Sequence, residues 1–190
     1  MPNEPTAKVQ LLSELSRLRR YCMFLEDLYA AAFTFMEDLY LISPQEPDSL
    51  RKVITQAAEL LNMPHGFLTL IGGSGQLEFK VGTGMFSRPR PEYRILAEPI
   101  LTSRKAVVIS DYAAYHTAQT GRPYEGLLRT AVVVPLTVYM KLLGVLTLAH
   151  DINSDKQITE DELVILSQYA SLVSVMLTRI QTYQDLLQAI

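Results

Sequence analysis

The most apolar stretch of the chain, residues 130–151 (TAVVVPLTVYMKLLGVLTLAHD), constrains the fold more than any other. It holds two runs rich in Val, Leu and Thr, each of strand length and divided by a break around Lys141. This pattern predicts a β-hairpin at the centre of an antiparallel sheet. Pro135 cannot donate a ladder hydrogen bond, so we expect it at a bulge or on a side that faces no partner strand. We expect Gly144 to pack closely against a neighbouring strand.

Composition narrows the class of protein and its partners. At 190 residues, with 48% hydrophobic and 19% charged residues, the chain has the size of one globular domain with room for an appendage. The net charge of −3 leaves no broad basic face, which argues against nucleic acid or an anionic membrane as the main partner. The single cysteine, Cys22, excludes an internal disulfide and fits a reducing cytoplasm. We expect no membrane span, because no run reaches ~20 apolar residues, and we expect a cytoplasmic protein.

Apolar residues near the N-terminus recur in steps of four and three, which is the period of a helix that pairs with another helix. A helix over residues 7–40 would be roughly 50 Å long, too long to be covered by a small domain. We expect it to pair with a second copy of the chain. The alternative is a single amphipathic helix lying on the sheet. The predicted dimer seam comprises Leu11, Leu15, Leu18, Cys22, Leu25, Ala32, Met36 and Leu39.

Helix and strand patterns alternate in the middle of the chain. The predicted elements are a helix at 50–61, strands at 67–71 and 76–81 joined by a Gly-Gly-Ser-Gly turn, a helix at 93–102 and a strand at 106–110. Residues 111–129 show no clean period, so we expect them to be irregular. A long irregular stretch between two strands is where a lid or ligand-binding loop usually lies.

A second long helix is predicted after the hairpin. It begins at Thr159, with Glu162 placed three residues later in a capping-box pattern. The heptad spacing returns in this helix and adds three residues to the predicted dimer seam: Val173, Leu177 and Ile180. The predicted organisation is an N-terminal dimerisation helix at 1–43, a central domain at 44–180, and a C-terminal helix at 159–190 that closes the domain and continues as a dimer helix.

Five segments in this order resemble the GAF domain, a ligand-sensing module of the PAS-like α/β class. They are LRKVITQAAELL, VVISD, VVVPL, LGVLTL and ITEDELVILSQYASLVSVML, which together span residues 50–180. The resemblance implies an antiparallel sheet of five or six strands, with helices on one face and a small-molecule pocket on the other. It also implies that the flanking helices form a homodimer and relay the state of the pocket to an output domain, such as a histidine kinase, a cyclase or a transcription regulator.

The segment upstream of the hairpin supplies the candidate ligand-binding side chains. They combine stacking faces, hydrogen-bond donors and fixed charges, which suit a planar or anionic small molecule held non-covalently. In the alternative, the tyrosine rings fill the pocket themselves, and the chain is a ligand-free dimerisation or scaffold module. The candidates are Tyr112, Tyr115, His116, Arg122, Tyr124 and Arg129.

No cofactor, metal site or catalytic residue is predicted. Similar domains that attach a bilin use a pocket cysteine, and none occurs between Tyr112 and Arg129, so we do not expect covalent bilin. Haem would need an axial histidine, for which His116 is the only choice in the candidate segment, and we do not expect haem either. Asn153 and Lys156 echo a cyclic-nucleotide motif only loosely. No Ser/His/Asp, paired-carboxylate or metal-ligand pattern is visible, so we expect a signalling domain rather than an enzyme.

Overall fold

The computed structural model describes residues 9–19, 22, 23, 26, 30 and 47–188. Its centre is a five-stranded antiparallel sheet with strand order β2-β1-β5-β4-β3. The elements are α1 (helical over residues 9–19), α2 (Pro47–Leu61), β1 (His65–Ile71), β2 (Leu77–Thr83), a 3₁₀ turn (Gly84–Phe86), α3 (Glu92–Ser103), β3 (Val107–Ile109), α4 (Tyr112–Thr120), β4 (Leu128–Val138), β5 (Lys141–Asp151) and α5 (Glu160–Gln188). The predicted α/β class is confirmed.

The predicted hairpin occupies the middle of this sheet. β5 lies between β1 and β4, and the β4–β5 pairing runs from Leu128 to Val138. The turn consists of Tyr139 and Met140, both with positive φ, while Lys141 already belongs to β5. The two strands are buried over most of their length, which explains why their sequence is so apolar.

Pro135 and Gly144 behave as their residue types require. Pro135 pairs with Val145 of β5 at a point past the end of β3, which pairs only with residues 131–133 of β4. This position fits a proline whose nitrogen faces no partner strand. At Gly144, a Cβ atom would lie 2.1 Å from the carbonyl oxygen of Thr69 in β1. The close approach of β1 and β5 therefore requires a glycine.

Helices and aromatic side chains cover both faces of the sheet. α2 and α5 pack on one face, where their apolar sides meet Leu146 and Leu148 of β5. α3, α4 and the 3₁₀ turn cover the other face, which includes Phe67 of β1 and Val145 of β5. The second face, where the resemblance places a ligand pocket, is thus occupied by an aromatic-rich cluster of the chain's own side chains.

The stretch 111–129 is helical in its first half, so the prediction that it is irregular is wrong there. The Asp111 carboxylate accepts the backbone N–H of Ala114 at 3.0 Å and caps α4. Gly121, with φ of 69°, ends the helix in the left-handed conformation. These two caps define a helix whose apolar periodicity is too weak to show in the sequence.

α5 begins with the predicted capping box. The Thr159 N–H donates to a Glu162 carboxylate oxygen at 2.9 Å, and the Glu162 N–H donates to the Thr159 hydroxyl at 3.2 Å. Further along, Val173 is only 2% exposed and packs in the core, and Leu177 is half-buried against the same core. The assignment of Val173 to a dimer seam is therefore corrected, because it faces the sheet. The side chain of Ile180 lies outside the described residues.

α1 leaves its predicted seam uncovered. Every residue of 9–19 is exposed, and the three seam leucines in this range are 54–61% exposed. This part of the helix is therefore not packed on the sheet, although Arg17 forms an ion pair of 2.7 Å with Asp161 in α5. Cys22 is also exposed. The remaining seam residues lie outside the described part of the chain: Leu25, Ala32, Met36 and Leu39. No helix in the described residues has the length and apolarity needed to cross a membrane.

Candidate functional site

Four of the six predicted ligand-binding side chains meet on the α3/α4 face of the sheet. We call Tyr112, Tyr115, His116 and Tyr124 the tyrosine cluster. The Tyr112 ring centroid lies 4.7 Å from that of Tyr124, 5.9 Å from that of His116 and 6.2 Å from that of Tyr115. α4 carries three of these side chains, and the segment after Gly121 returns Tyr124 against them. The rings of Tyr112 and Tyr124 are nearly perpendicular, at 86°, a favourable arrangement for aromatic pairs.

Tyr112 is the most deeply buried member of the tyrosine cluster. Its side chain is 0% exposed, and its hydroxyl has no hydrogen-bond partner among the described residues. Burial, reinforced by the nearby negative charge of Glu92, raises the pKa of Tyr112 far above its usual value, so the phenol stays neutral. A buried hydroxyl without a partner costs ~1–3 kcal/mol. A group that bonded to this oxygen would offset that cost.

Three hydrogen bonds hold the other two tyrosines. The Tyr124 hydroxyl donates to a carboxylate oxygen of Glu92 at 3.3 Å and accepts the Leu128 N–H at the same distance. The Tyr115 hydroxyl donates to the carbonyl of Ile95 at 3.4 Å. Burial raises the pKa of both tyrosines, and for Tyr124 the N–H of Leu128 opposes that effect. These long bonds connect the cluster to α3 and to the start of β4.

Glu92 was not among the sequence-predicted site residues. In the sequence it is an acidic residue in the first turn of a helix, a position that the helix dipole alone explains. Only the folded chain shows that its carboxylate reaches Tyr124, 32 residues away. It is the charged group that faces the tyrosine cluster most directly.

His116 links the end of α4 to the following loop. Its Nδ1 atom lies 3.2 Å from the carbonyl oxygen of Arg122. Because a carbonyl only accepts, the proton of this bond is on Nδ1. The Arg122 carbonyl oxygen thus accepts a hydrogen bond from His116, which belongs to the tyrosine cluster, and Arg122 itself is exposed.

The structure does not bring Arg129 to the tyrosine cluster. Its guanidinium forms an ion pair of 2.6 Å with Asp155, in the connection between β5 and α5. The register of β4 shifts between Leu128 and Thr130, so simple alternation along the strand does not predict where Arg129 is directed. Its assignment as a ligand-binding residue stays a prediction.

A second aromatic group adjoins the tyrosine cluster and was missed by sequence reasoning. Phe67 lies 4.8 Å from Phe86 and 6.4 Å from Tyr93, and Phe79 lies 5.6 Å from Tyr93, measured between ring centroids. The four rings come from β1, β2, the 3₁₀ turn and α3, so no local pattern connects them. They belong to the same buried cluster as the tyrosines on this face of the sheet.

One further polar arrangement lies at the end of the sheet. His65 accepts the N–H of Met85 through Nδ1 at 3.2 Å, and its Nε2 lies 3.3 Å from a carboxylate oxygen of Asp151. Since Nδ1 accepts, Nε2 carries the proton and donates to Asp151. Hydrogen bonds from the Asn153 N–H and from His65 lower the pKa of Asp151. The arrangement joins β1, β5 and the 3₁₀ turn, and in the part of the chain that is described no three His, Cys, Asp or Glu residues are grouped to hold a metal ion.

Comparisons with known proteins agree on one family. The model of the GAF domain family matches residues 45–178. The GAF domain of Acinetobacter phosphoenolpyruvate-protein phosphotransferase is 17% identical, with a TM-score of 0.66, over 84% of this chain and 95% of that one. Residues 122 to 287 of a methyl-accepting chemotaxis protein are 16% identical, with a TM-score of 0.63, over 84% of this chain and 99% of that one.

A third similar structure is that of a GAF domain/HD domain protein from Geobacter sulfurreducens. It is 13% identical, with a TM-score of 0.57, over 73% of this chain and 95% of that one. No curated protein matches the sequence. At these identities the structures show a shared fold and nothing about a shared ligand. Because the family match covers more than half of the 190 residues and the fold agrees with it, the chain belongs to the GAF domain family.

Proposed function

We propose that this chain is the sensory module of a signalling protein and binds a planar small molecule non-covalently at the tyrosine cluster. GAF domains are generally regulatory or sensory rather than catalytic, and one similar structure belongs to a chemotaxis protein. The observation that carries the proposal is the fully buried Tyr112 hydroxyl without a partner among the described residues. A ligand atom bonded to it would recover the desolvation cost of the buried hydroxyl.

Tyr124 is the side chain that must move to admit a ligand. It covers Tyr112 edge-on and is held by hydrogen bonds of 3.3 Å, which are longer than the usual range. Its displacement would break its ring contacts with Tyr112 at 4.7 Å and with His116 at 5.1 Å, which a planar ligand would have to replace. The vacated space would be lined by ring faces, and Arg122, an exposed cation whose carbonyl oxygen lies 3.2 Å from His116 Nδ1, would receive an anionic group.

Transmission of the signal is proposed to run through a homodimer of the flanking helices. The seam leucines of α1 are exposed, and exposed large apolar side chains at heptad spacing are typical of a helix that pairs. The Arg17–Asp161 ion pair connects this helix to the first turn of α5. An open groove of about 330 Å³ along α5 adds uncovered surface, lined by Ala106, Leu163, Val164, Ser167, Gln168 and Ser171. The output would be a histidine kinase, cyclase or transcription regulator in the same or another chain.

The second candidate function is a ligand-free dimerisation module. It is favoured by the ring contacts themselves, because Phe67, Phe86 and Tyr112 are all fully buried against other side chains on the pocket face. In that case the tyrosines are core residues, and the flanking helices alone carry the function.

A thermal-shift screen separates the two candidates. The whole chain would be tested against nucleotides, carboxylates and tetrapyrroles. We expect one class to raise the melting temperature, and Tyr112→Phe to abolish that rise because it removes the bonding oxygen. Tyr93→Phe is the matched control, since it removes a hydroxyl from the neighbouring aromatic group. If no class stabilises the protein, the sensory proposal fails and the ligand-free module stands.

Light scattering tests the dimer. We expect the chain to be dimeric at micromolar concentration, and Leu15→Glu with Leu18→Glu to make it monomeric by placing charges in the seam. Ser13→Glu introduces one negative charge on the opposite side of the helix and is expected to leave the dimer intact. A monomeric wild-type chain at high micromolar concentration would refute the proposal.

A further inference from the structure

The tip of the β4–β5 hairpin presents the two most exposed large apolar side chains of the described residues. Tyr139 is 98% exposed and Met140 is 83% exposed. Their φ angles are +46° and +67°, and they connect the paired residues Val138 and Lys141. Positive φ at both central residues is the signature of a type I′ turn, for which Asn-Gly is the preferred sequence. A tyrosine and a methionine are therefore disfavoured here in two ways: positive φ strains their backbone, and their apolar side chains are exposed to water.

Three cations are associated with this turn through one hydrogen bond and through sequence adjacency. Arg104, at the end of α3, donates from its guanidinium to the carbonyl of Met140. Lys105 follows Arg104 in the chain, Lys141 follows Met140, and all three residues are exposed. The ion pairs formed within the described residues involve other cations, so no described carboxylate neutralises this group. We call these five residues the hairpin tip.

We infer that the hairpin tip docks onto an anionic lipid surface. A tyrosine ring is amphipathic and suits the head-group level of a bilayer, and a methionine adapts to a disordered apolar environment. Each lysine or arginine close to an anionic membrane strengthens binding about fivefold. The five residues thus combine apolar insertion with charge complementarity in one small protrusion.

A lipid surface fits this protrusion better than a protein does. One aromatic side chain buries roughly 150–250 Å², so a tip of two apolar side chains falls well short of the ~1,000 Å² that a stable protein interface needs. A convex tip would also need a matching pocket on a protein, whereas a bilayer deforms around it. The overall charge of −3 does not oppose docking, because charges more than ~8 Å away are largely screened at physiological ionic strength.

Vesicle sedimentation of the full chain tests this inference. The probes are vesicles of phosphatidylcholine alone and of phosphatidylcholine mixed with phosphatidylserine. We expect binding only when phosphatidylserine is present, weakening as salt is added. The variant Tyr139→Asn with Met140→Gly should lower vesicle affinity about tenfold or more, through lost apolar insertion. It also creates the preferred type I′ turn, so the fold should be kept or stabilised, which circular dichroism would verify.

Charge variants complete the test. Lys105→Gln with Lys141→Gln should weaken vesicle binding about 25-fold, from about fivefold per charge. The matched control is Arg88→Gln with Arg90→Gln, which changes the net charge equally at exposed positions near the other end of the sheet. We expect it to change binding by about twofold or less.

Three results would overturn the inference. The wild-type chain would not bind phosphatidylserine vesicles, Tyr139→Asn with Met140→Gly would bind them with undiminished affinity, or the arginine control would lose as much vesicle affinity as the lysine variant.

Discussion

Replacement of Tyr112 by phenylalanine is expected to raise the free energy of unfolding, although it removes a polar group from the proposed binding site. The hydroxyl is buried without a partner among the described residues, so its removal recovers a desolvation cost of about 1–2 kcal/mol. The ring contact with Tyr124 at 4.7 Å is retained. In a domain of this size, that gain corresponds to a rise in melting temperature of about 2–4 °C per kcal/mol.

Tyr169→Phe provides a control of the opposite sign. Tyr169 is 3% exposed, but its hydroxyl donates to the carbonyl of Val53 at 2.8 Å and lies 3.2 Å from the side-chain oxygen of Gln56. Removal of this hydroxyl deprives a buried carbonyl of its donor and should cost about 1–2 kcal/mol. The two substitutions delete the same atom from two buried tyrosines, so their difference isolates the effect of hydrogen bonding.

Urea unfolding, followed by circular dichroism on ligand-free protein, measures both variants. The slope of unfolding free energy against urea should be unchanged, so the midpoint alone reports stability. A loss of about 1 kcal/mol or more in Tyr112→Phe, the typical net contribution of one hydrogen bond, would mean that the hydroxyl has a partner. The reasoning that assigns it to a ligand would then fail.

Three further predictions concern the frame around the site. Gly144→Ala should destabilise the fold by about 1–3 kcal/mol in urea unfolding, because its Cβ would meet the Thr69 carbonyl. Burial lowers the pKa of His150 below its ordinary 6.5. The contribution of His150 to the free energy of unfolding should therefore be complete above pH 6.5 and be lost as the pH falls through the folded pKa. In a pH series of unfolding measurements, His150→Gln should make stability depend less on pH. Thr159→Ala should cost about 1 kcal/mol in thermal unfolding through loss of the capping box with Glu162, whereas Thr159→Ser should cost little.

Much of the fold could be predicted because its signals are local. The two runs around Lys141 are apolar because β5 lies between two strands at the centre of the sheet. Thr159 followed three residues later by Glu162 is a capping-box pattern, which marks the start of a helix. Pro135 and Gly144 each carry a backbone constraint that only a few positions in a sheet can meet. Each of these features can be predicted from neighbouring residues in the sequence alone.

The site was harder to predict because its contacts join distant parts of the chain. α4 is defined by two caps rather than by an apolar period, so residues 111–129 appear irregular in the sequence. Glu92 and the second aromatic group enter the site only through tertiary packing. The heptad spacing at Val173 is compatible with a partner helix and with a sheet, and the fold uses it for the sheet.

The position of Pro135 also bears on self-association. β3 pairs with only three residues of β4, so the outer edge of β4 continues past β3 toward the hairpin turn. An open edge of this kind is a template for intermolecular strand pairing and aggregation. A proline without an N–H interrupts that template at the first stretch where a foreign strand would extend β3. Pro135 therefore opposes intermolecular strand pairing at this edge of the sheet.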